Sequence, residues 1–501
     1  MARQPVPFYP LEIPPGIFTE ETPAGAVKRW FMGDNVRWVS GLPQKRGGYI
    51  FNQIYDPDGE DTEYMGKARS YFQWESLDGQ SWTAFGTACK LYLLNNNTLY
   101  DITPMRAQSY ISNGVATVIG ESIVTITDVN HGAQAGDHVR YEGATIVDGI
   151  LLDGEYEVLE VIDVDTYTVD SGTVATGTTA AGGGDITARY DISCGLESDG
   201  FLYGYGVGLY GEGTYGTPRT DSDYRGFMRN WSLDNWGEDL IASPNGGAIY
   251  VWQRVNGPQS RAELIPNAPV NNERVMVGPD GRHVIAIGTN LASTGQQDKM
   301  FVRWCVGDDY NDWVATEEND AGSKRLDTGS RLITAVETNR QILIWSDKAL
   351  YVTSFVGGLD VYDITFVATS PKVMSPNAVV DVNGIVFAMC EDDFYTYDGT
   401  YRAMECEVLC YVFGDGENAG INVNQRSKVT VRTRSEFNEV IFSYPRDGED
   451  ENMNEVMWNW HEKCWYLGSI PRETGGDKNP YYDKAVGLYD GKVWLEEVGV
   501  D

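Results

Sequence analysis

Short apolar runs, each ended by a tight polar turn, recur along this chain, and the strand after the turn opens on Leu-Tyr or an aromatic pair. Lys90-Leu91-Tyr92-Leu93 is followed by Leu99-Tyr100-Asp101-Ile102-Thr103. Ile342 to Ser346 turns at Asp347-Lys348 into Leu350-Tyr351-Val352-Thr353, and Val386 to Met389 turns at Glu391-Asp392 into Phe394-Tyr395-Thr396-Tyr397. Val486 to Tyr489 turns at Asp490-Gly491 into Val493-Trp494-Leu495. Alternation of this kind predicts half-buried strands, and hairpins repeated along one chain predict a radial stack of small antiparallel sheets. The fold class expected is all-β, a β-propeller. The aromatic pairs are expected to be blade-core residues.

Further strands fit the same scheme. They are expected at Tyr71–Trp74 and Trp82–Phe85, around Asn245-Gly246-Gly247 between Trp231 and Trp252, and at Val275–Val277, Val284–Ile287 and Phe301–Cys305. Leu332–Val336, Gln341–Trp345, Ala378–Val382 and Ile385–Met389 continue the series. Val429–Thr433, Glu439–Tyr444, Glu455–Trp460 and Cys464–Leu467 give a last four-strand block. Tyr481 to Val498 is only half a block, so the N-terminal arm is expected to complete it and close the ring. Within that arm one strand or short helix is expected around Val27 to Trp38. Helical periodicity is almost absent.

The pattern breaks in the middle. Between Val115 and Tyr190 aromatic residues are few, and β-branched and acidic residues dominate, with strands predicted at Ser122–Val129, His138–Tyr141, Gly154–Ile162 and Thr166–Val169. This predicts a small β-barrel or sandwich inserted into the larger fold. Gly200 to Gly216 places glycine at nearly every second or third position, which reads as a long loop pinned by tyrosines. Four segments follow: 1–104, the arm and first propeller strands; 105–190, the inserted acidic β domain; 191–229, the Gly/Tyr-rich loop; 230–501, the remainder of the propeller.

The 501 residues are 42% apolar, with 14 Trp, 30 Tyr and 16 Phe, which is ample for a core and excludes disorder. No run is long and apolar enough for a membrane helix, and Met1 to Pro15 lacks the apolar stretch of a signal peptide, so synthesis and folding in a cytoplasm are expected. The net charge of −35 argues against a nucleic-acid reader, whose affinity comes from basic contacts to phosphate. Composition alone favours acidity that keeps a β-rich surface soluble, while an acidic wall could also let DNA pass without gripping it.

Candidate chemistry is sparse. The cysteines at 89, 194, 305, 390, 406, 410 and 464 form no CxxC, and are expected to be reduced thiols in strands. His131 and His138 flank a glycine turn with only carboxylates nearby, and are read as turn or surface histidines; His461, among Trp458, Trp460 and Trp465, is read as an aromatic-packed strand residue. His283 completes the set of four. Asp308, Asp309 and Asp312, and the run Asp447 to Glu451, depart from calcium-loop spacing and are expected to be solvated loop tips. No Walker loop, GxSxG or HExxH occurs. No catalytic, cofactor-binding or metal-ligating residue is nominated, no cofactor is expected, and the chain is not expected to be an enzyme.

Several phrases carry a resemblance. Pro14-Pro15-Gly16, Lys28-Arg29-Trp30, Asp34-Asn35-Val36-Arg37-Trp38, Gly41 with Pro43, and Gly47-Gly48-Tyr49 occur in that order. Gly86-Thr87, Lys90-Leu91-Tyr92, Asp101 to Pro104, the Gly-Tyr run and Trp231 to Leu240 follow. Together these resemble the tail nozzle (tail tubular protein B-like) proteins of short-tailed bacteriophages. Asn130-His131-Gly132, Gly136-Asp137, Gly149-Ile150 and Gly154-Glu155-Tyr156 are similar to small β modules borne on phage tail and fibre proteins.

The resemblance implies a structural virion protein, assembled in the host cytoplasm and located in the tail. It implies a hexameric ring at the distal end of the DNA channel, below an adaptor protein, supporting tail fibres. Genomic DNA would pass through the lumen without specific binding, and no membrane insertion is expected. Inward-projecting loops, Gly200–Gly216 among them, are expected to occlude the channel until ejection. The chain is shorter than the larger nozzle proteins. Two other readings fit an aromatic-rich propeller: a carbohydrate-binding or carbohydrate-cleaving protein, and a receptor-binding tail fibre or spike.

Overall fold

The computed structural model describes residues 13–193, 195–198, 228–338, 341–357, 361–415 and 419–499. The fold is all-β: a β-propeller of seven blades with an inserted, nearly closed, barrel-like sheet of eight strands. Two compact units carry these elements. Met1–Asn52, Thr328–Phe355 and Tyr362–Asp501 make one; Gln53–Asp327 with Val356–Val361 make the other. Gly200–Gly216, and with it most of the Gly/Tyr-rich segment, lies outside the described residues.

The first unit holds four blades. Three are consecutive meanders: Leu332–Glu337 to Tyr362–Thr369, Val379–Val382 to Tyr401–Ala403, and Thr430–Arg434 to Cys464–Gly468. Each is antiparallel throughout, and its hairpins use residues that tolerate positive φ, such as Asn383-Gly384. Phe387, Phe394, Phe442 and Trp465 share one buried cluster, and the Phe394 and Trp465 rings lie 4.7 Å apart.

The fourth blade draws on both ends of the unit. Thr474–Gly476, Val486–Tyr489 and Lys492–Glu496 pair in order, and Tyr49–Asn52 of the arm adds the fourth strand with Tyr49 opposite Glu496. Trp494 touches both Tyr49 and Phe51, at 5.5 and 5.9 Å between centroids. Upstream, the arm is less regular than expected. Around Val27 to Trp38 only Val36–Val39 is strand, pairing with Leu42–Lys45, while residues 23–29 are turns. The Pro14-Pro15-Gly16 and Gly25 breaks leave too little uninterrupted chain for a longer element.

Gly16 shows why this arm needs glycine. Its φ is +100°, and a Cβ there would stand 2.8 Å from Cys464 Cβ. Ile17 donates its N–H to the Trp465 carbonyl at 2.8 Å, and Trp38, 1% exposed, packs on Trp30 and Tyr466.

The second unit holds three blades and the insert. Ala68–Glu75, Ser81–Thr87, Leu91–Asn95 and Thr98–Asp101 form one blade, extended by Ile54–Tyr55 and Asp61–Thr62. Trp231–Trp236 to Glu263–Leu264 and Arg274–Val277 to Gly322–Arg325 form the others. Leu91, Leu93, Trp231, Leu240 and Trp252 make a common core.

The eight-stranded sheet runs from Met105–Ser112 to Asp185–Asp191. Its interior is mostly apolar and carries a chain of hydrogen-bonded hydroxyls. Tyr141 and Tyr167 hydroxyls are 2.6 Å apart, Tyr167 and Tyr190 are 2.8 Å apart, and Tyr190 donates to Asp128 at 2.6 Å. Burial pushes the Tyr167 phenol up to about 12, so the chain is a set of neutral hydroxyls that satisfy one another.

Candidate functional sites

The first blade joins the insert through a buried lysine. Lys90 lies in the turn before Leu91–Asn95, and its ammonium meets Asp101 at 3.3 Å and Asp191 at 2.5 Å, together with Glu155 of the insert. Arg261 reaches the same carboxylates, at 3.0 Å from Asp101 and 3.3 Å from Asp191. Burial alone would lower the Lys90 pKa, but Asp101, Asp191 and Glu155 overcome it and raise it. Burial pushes Asp191 up to about 6 against the pull of Lys90 and Arg261. His138 Nδ1 lies 3.4 Å from Glu155, and burial followed by the Lys90 charge lowers its pKa.

Between the ordinary 3.8 and about 6 the folded chain binds a proton at Asp191 that the unfolded chain does not. This group's contribution to stability is therefore complete below 3.8 and is lost as pH rises through about 6. Asp191→Asn is expected to flatten that part of the dependence of unfolding free energy on pH, as read from denaturant titrations at a series of pH values.

In the first unit a second ionic cluster ties the arm to the last blades. Arg37 pairs with Glu439 at 3.1 Å and with Glu497. Arg46 meets Glu455 at 3.0 Å, and Arg434 meets Glu439 at 2.8 Å and Glu497 at 3.1 Å. Glu496 accepts from Arg432 and Arg472, each at 2.8 Å, and from Arg434. Burial would raise the Glu496 pKa, yet Arg432, Arg434, Arg472 and Arg46 hold it well below the usual carboxylate range. Gly47 admits this packing, since a Cβ there would stand 2.8 Å from Glu497 Cα.

The histidines are structural pins. His131 Nδ1 accepts the Ala133 N–H at 2.9 Å, which leaves Nε2 to donate to the Asp163 carbonyl at 3.1 Å; the ring also contacts Tyr167. It is buried rather than on the surface, held by these bonds and by the Tyr167 ring. His138 opens the strand His138–Glu142, as the strand expected at His138–Tyr141 has it, and is buried rather than a surface or turn histidine, since the turn ends at Gly136. His283 is 1% exposed between Asp280 at 2.5 Å and Asp320 at 3.3 Å. Burial would lower its pKa, but these two carboxylates raise it. His461 is an exposed turn residue, not a packed strand residue: the strand Asn454–Asn459 ends before it, and Asn459 accepts its N–H.

The other candidates also have local roles. Of the described cysteines only Cys464 lies in a strand; Cys305 and Cys390 each follow the last residue of one, Cys89 and Cys406 lie in connecting segments, and Cys410 is on the short helix Leu409–Phe413. Asp308 pairs with Arg282 at 2.6 Å, and Asp309 and Asp312 accept backbone N–H groups two residues on. Glu451 pairs with Lys428 at 2.9 Å. Among the described residues no three His, Cys, Asp or Glu side chains are grouped to hold a metal ion.

An open cleft in the first unit escaped the sequence reading. About 540 Å³ in volume, it lies between Ala368–Pro371, at the end of one blade's outer strand, and Asp392, Tyr395 and Tyr401–Ala403 of the next blade. Tyr395 and Tyr401 stack at 5.1 Å between centroids and 15° between planes. The Tyr401 hydroxyl is 2.6 Å from Ser370 Oγ, which itself donates to the Pro371 carbonyl. The expected role for such pairs was core packing. Phe394 keeps it, fully buried, while Tyr395 takes the other face of the pleat and is half-buried.

No family model and no curated protein matches this chain. Solved structures similar to it include the Hsv2 protein of Kluyveromyces lactis, at 7% identity over 52% of this chain and 69% of that one, TM-score 0.31. A fungal alcohol oxidase of the AA5 family in complex with copper is similar at 9% identity over 79% and 76%, TM-score 0.36. The endosialidase of phage phi92 is similar at 10% identity over 83% and 68%, TM-score 0.20. The strand pairing, not these likenesses, defines the fold.

Proposed function

We propose that this chain is a structural protein of a short phage tail, the protomer of a six-fold nozzle ring at the distal end of the DNA channel. The observation that carries the reading is the place of the nozzle-like phrases in the fold. Asp34 to Trp38 supplies Arg37 and Trp38, and Gly47 to Tyr49 supplies the close approach to Glu497 and the start of the added strand. The phrases that resemble the family thus encode the lock between arm and last blade.

Two properties agree with this role. The charge of −35 suits a wall that DNA slides past, because like charge repels phosphate. The ionic groups nominated by burial are spent on one another, which suits a load-carrying part. The ring's partners would be an adaptor above, fibres at its side, and DNA in transit.

Electron microscopy of phage particles carrying this chain, with gold-labelled antibody against it, tests the proposal. Six copies at the distal tail tip are expected. A three-fold assembly would favour a fibre or spike, and absence from the particle would reject a virion role.

A further inference from the structure

The cleft beside Tyr395 and Tyr401 has the chemistry of a binding site, and it stands independently of the tail proposal. Its volume of about 540 Å³ lies within the range of small-molecule sites. Its aromatic platform is fixed in advance: cross-strand stacking holds the two rings nearly parallel, and Ser370, itself buried, holds the Tyr401 hydroxyl. A ligand would therefore meet ordered rings, with little side-chain entropy left to lose.

The polar groups around the platform are not all engaged. Glu391 is paired with Lys372 and Arg426, at 2.8 and 2.9 Å. Its neighbour Asp392 is exposed at the cleft, and among the described residues neither its carboxylate nor the Tyr395 hydroxyl has a hydrogen-bond or ion-pair partner in the chain. Arg402 lines the same cleft with an exposed guanidinium, anchored by Asp398 at 2.5 Å. The site thus offers a flat ring face, a free carboxylate acceptor, a free phenol and a positioned donor fork.

We infer that this cleft binds a neutral hexopyranose unit of a glycan. The C–H face of a pyranose lies on an aromatic ring, a carboxylate accepts from two vicinal hydroxyls, and a guanidinium donates to a ring or hydroxyl oxygen. Asp392 and Asp398, on a chain of net charge −35, disfavour an acidic sugar. Arg402, lining the same cleft, disfavours a cationic ligand that would otherwise suit carboxylate and rings. The step claimed is binding alone, with no bond made or broken.

The test is saturation-transfer NMR and titration calorimetry on the full chain. The probes are short neutral gluco-, galacto- and manno-oligosaccharides, with sialyl-oligosaccharide and choline as the charged comparisons. At least one neutral probe is expected to bind, and Tyr395→Ala and Asp392→Asn are each expected to weaken it about tenfold or more. Both residues are at the surface of the cleft, and unchanged thermal melting of the variants keeps the result a binding result. Failure of every neutral probe overturns the inference. So does binding that both variants leave intact, or binding confined to the sialylated probe or to choline.

Discussion

Glu496→Ala is expected to cost ~3–5 kcal/mol of stability, the range for removing one partner from a buried ionic cluster. The size follows from what is left behind. Arg432, Arg434 and Arg472 all converge on this carboxylate, and each is buried. Without it Arg472 loses the carboxylate it pairs with, while Arg432 must share Glu455 with Arg46 and Arg434 must share Glu439 and Glu497 with Arg37, so the buried positive charge is undercompensated.

Glu496→Gln is expected to be nearly as damaging, because the loss is of charge rather than shape. Glu436→Ala provides the contrast: its pair with Lys484 is long, at 3.5 Å, and solvent-accessible, so little change is expected. Urea unfolding followed by tryptophan fluorescence reads both. Equal midpoints for Glu496→Ala and the native chain would refute the account of this cluster. Acid should act in the same direction as the mutation: the Glu496 pKa is depressed, so its contribution is present above the unfolded value of 4.5 and is lost as pH falls through the folded one.

Lys90→Met is the second large effect, expected at ~3–5 kcal/mol by the same reasoning at neutral pH. It leaves Asp101, Glu155 and Asp191 facing one another with only Arg261 to compensate. Here the damage should depend on pH. Asp191 already titrates at about 6, and losing its ammonium partner moves it higher, so mild acid neutralises part of the repulsion. The loss should therefore be smaller at pH 5 than at pH 8. Because Glu155 and Asp191 belong to the insert, hydrogen exchange should quicken first at the strands Gly154–Val161 and Asp185–Asp191. A loss of equal size at both pH values, spread evenly over the chain, would contradict this.

The sequence made the hairpins legible because their cause is local. Asp490-Gly491 and Asn96-Asn97 adopt positive φ at the turns, and the flanking residues alternate between faces, so both signals lie within a few residues of each other. The insert was legible for a similar reason: its composition differs over a continuous stretch. What pairs across the fold was not.

Arg37 sits in a recognisable phrase, yet its partners Glu439 and Glu497 lie more than 400 residues away, and no periodicity announces them. Lys90 reads as an ordinary turn residue until Asp191 and Glu155 arrive from the insert. The cleft was hidden in the same way. Tyr395 and Tyr401 belong to one hairpin, but Ser370 and Pro371 come from the preceding blade, and only the folded chain brings them together. His461 shows a local misreading: tryptophans on both sides suggested packing, whereas the turn between their strands carries it outward.

The blade shared by the arm and the C-terminal strands sets a timetable for synthesis. Arg37 and Glu497 are 460 residues apart, so at ribosomal rates of ~5–20 residues per second the arm waits on the order of 20–90 s for its partners. Tyr49, Ile50 and Phe51 are a sticky edge throughout that interval. Lys45 and Arg46 stand just upstream, across Gly47-Gly48, a charged guard against premature pairing on the polysome. The last blade is thus completed only once Lys492–Glu496 has been made, and nascent chains crowded on one message are where mispairing of this edge would begin.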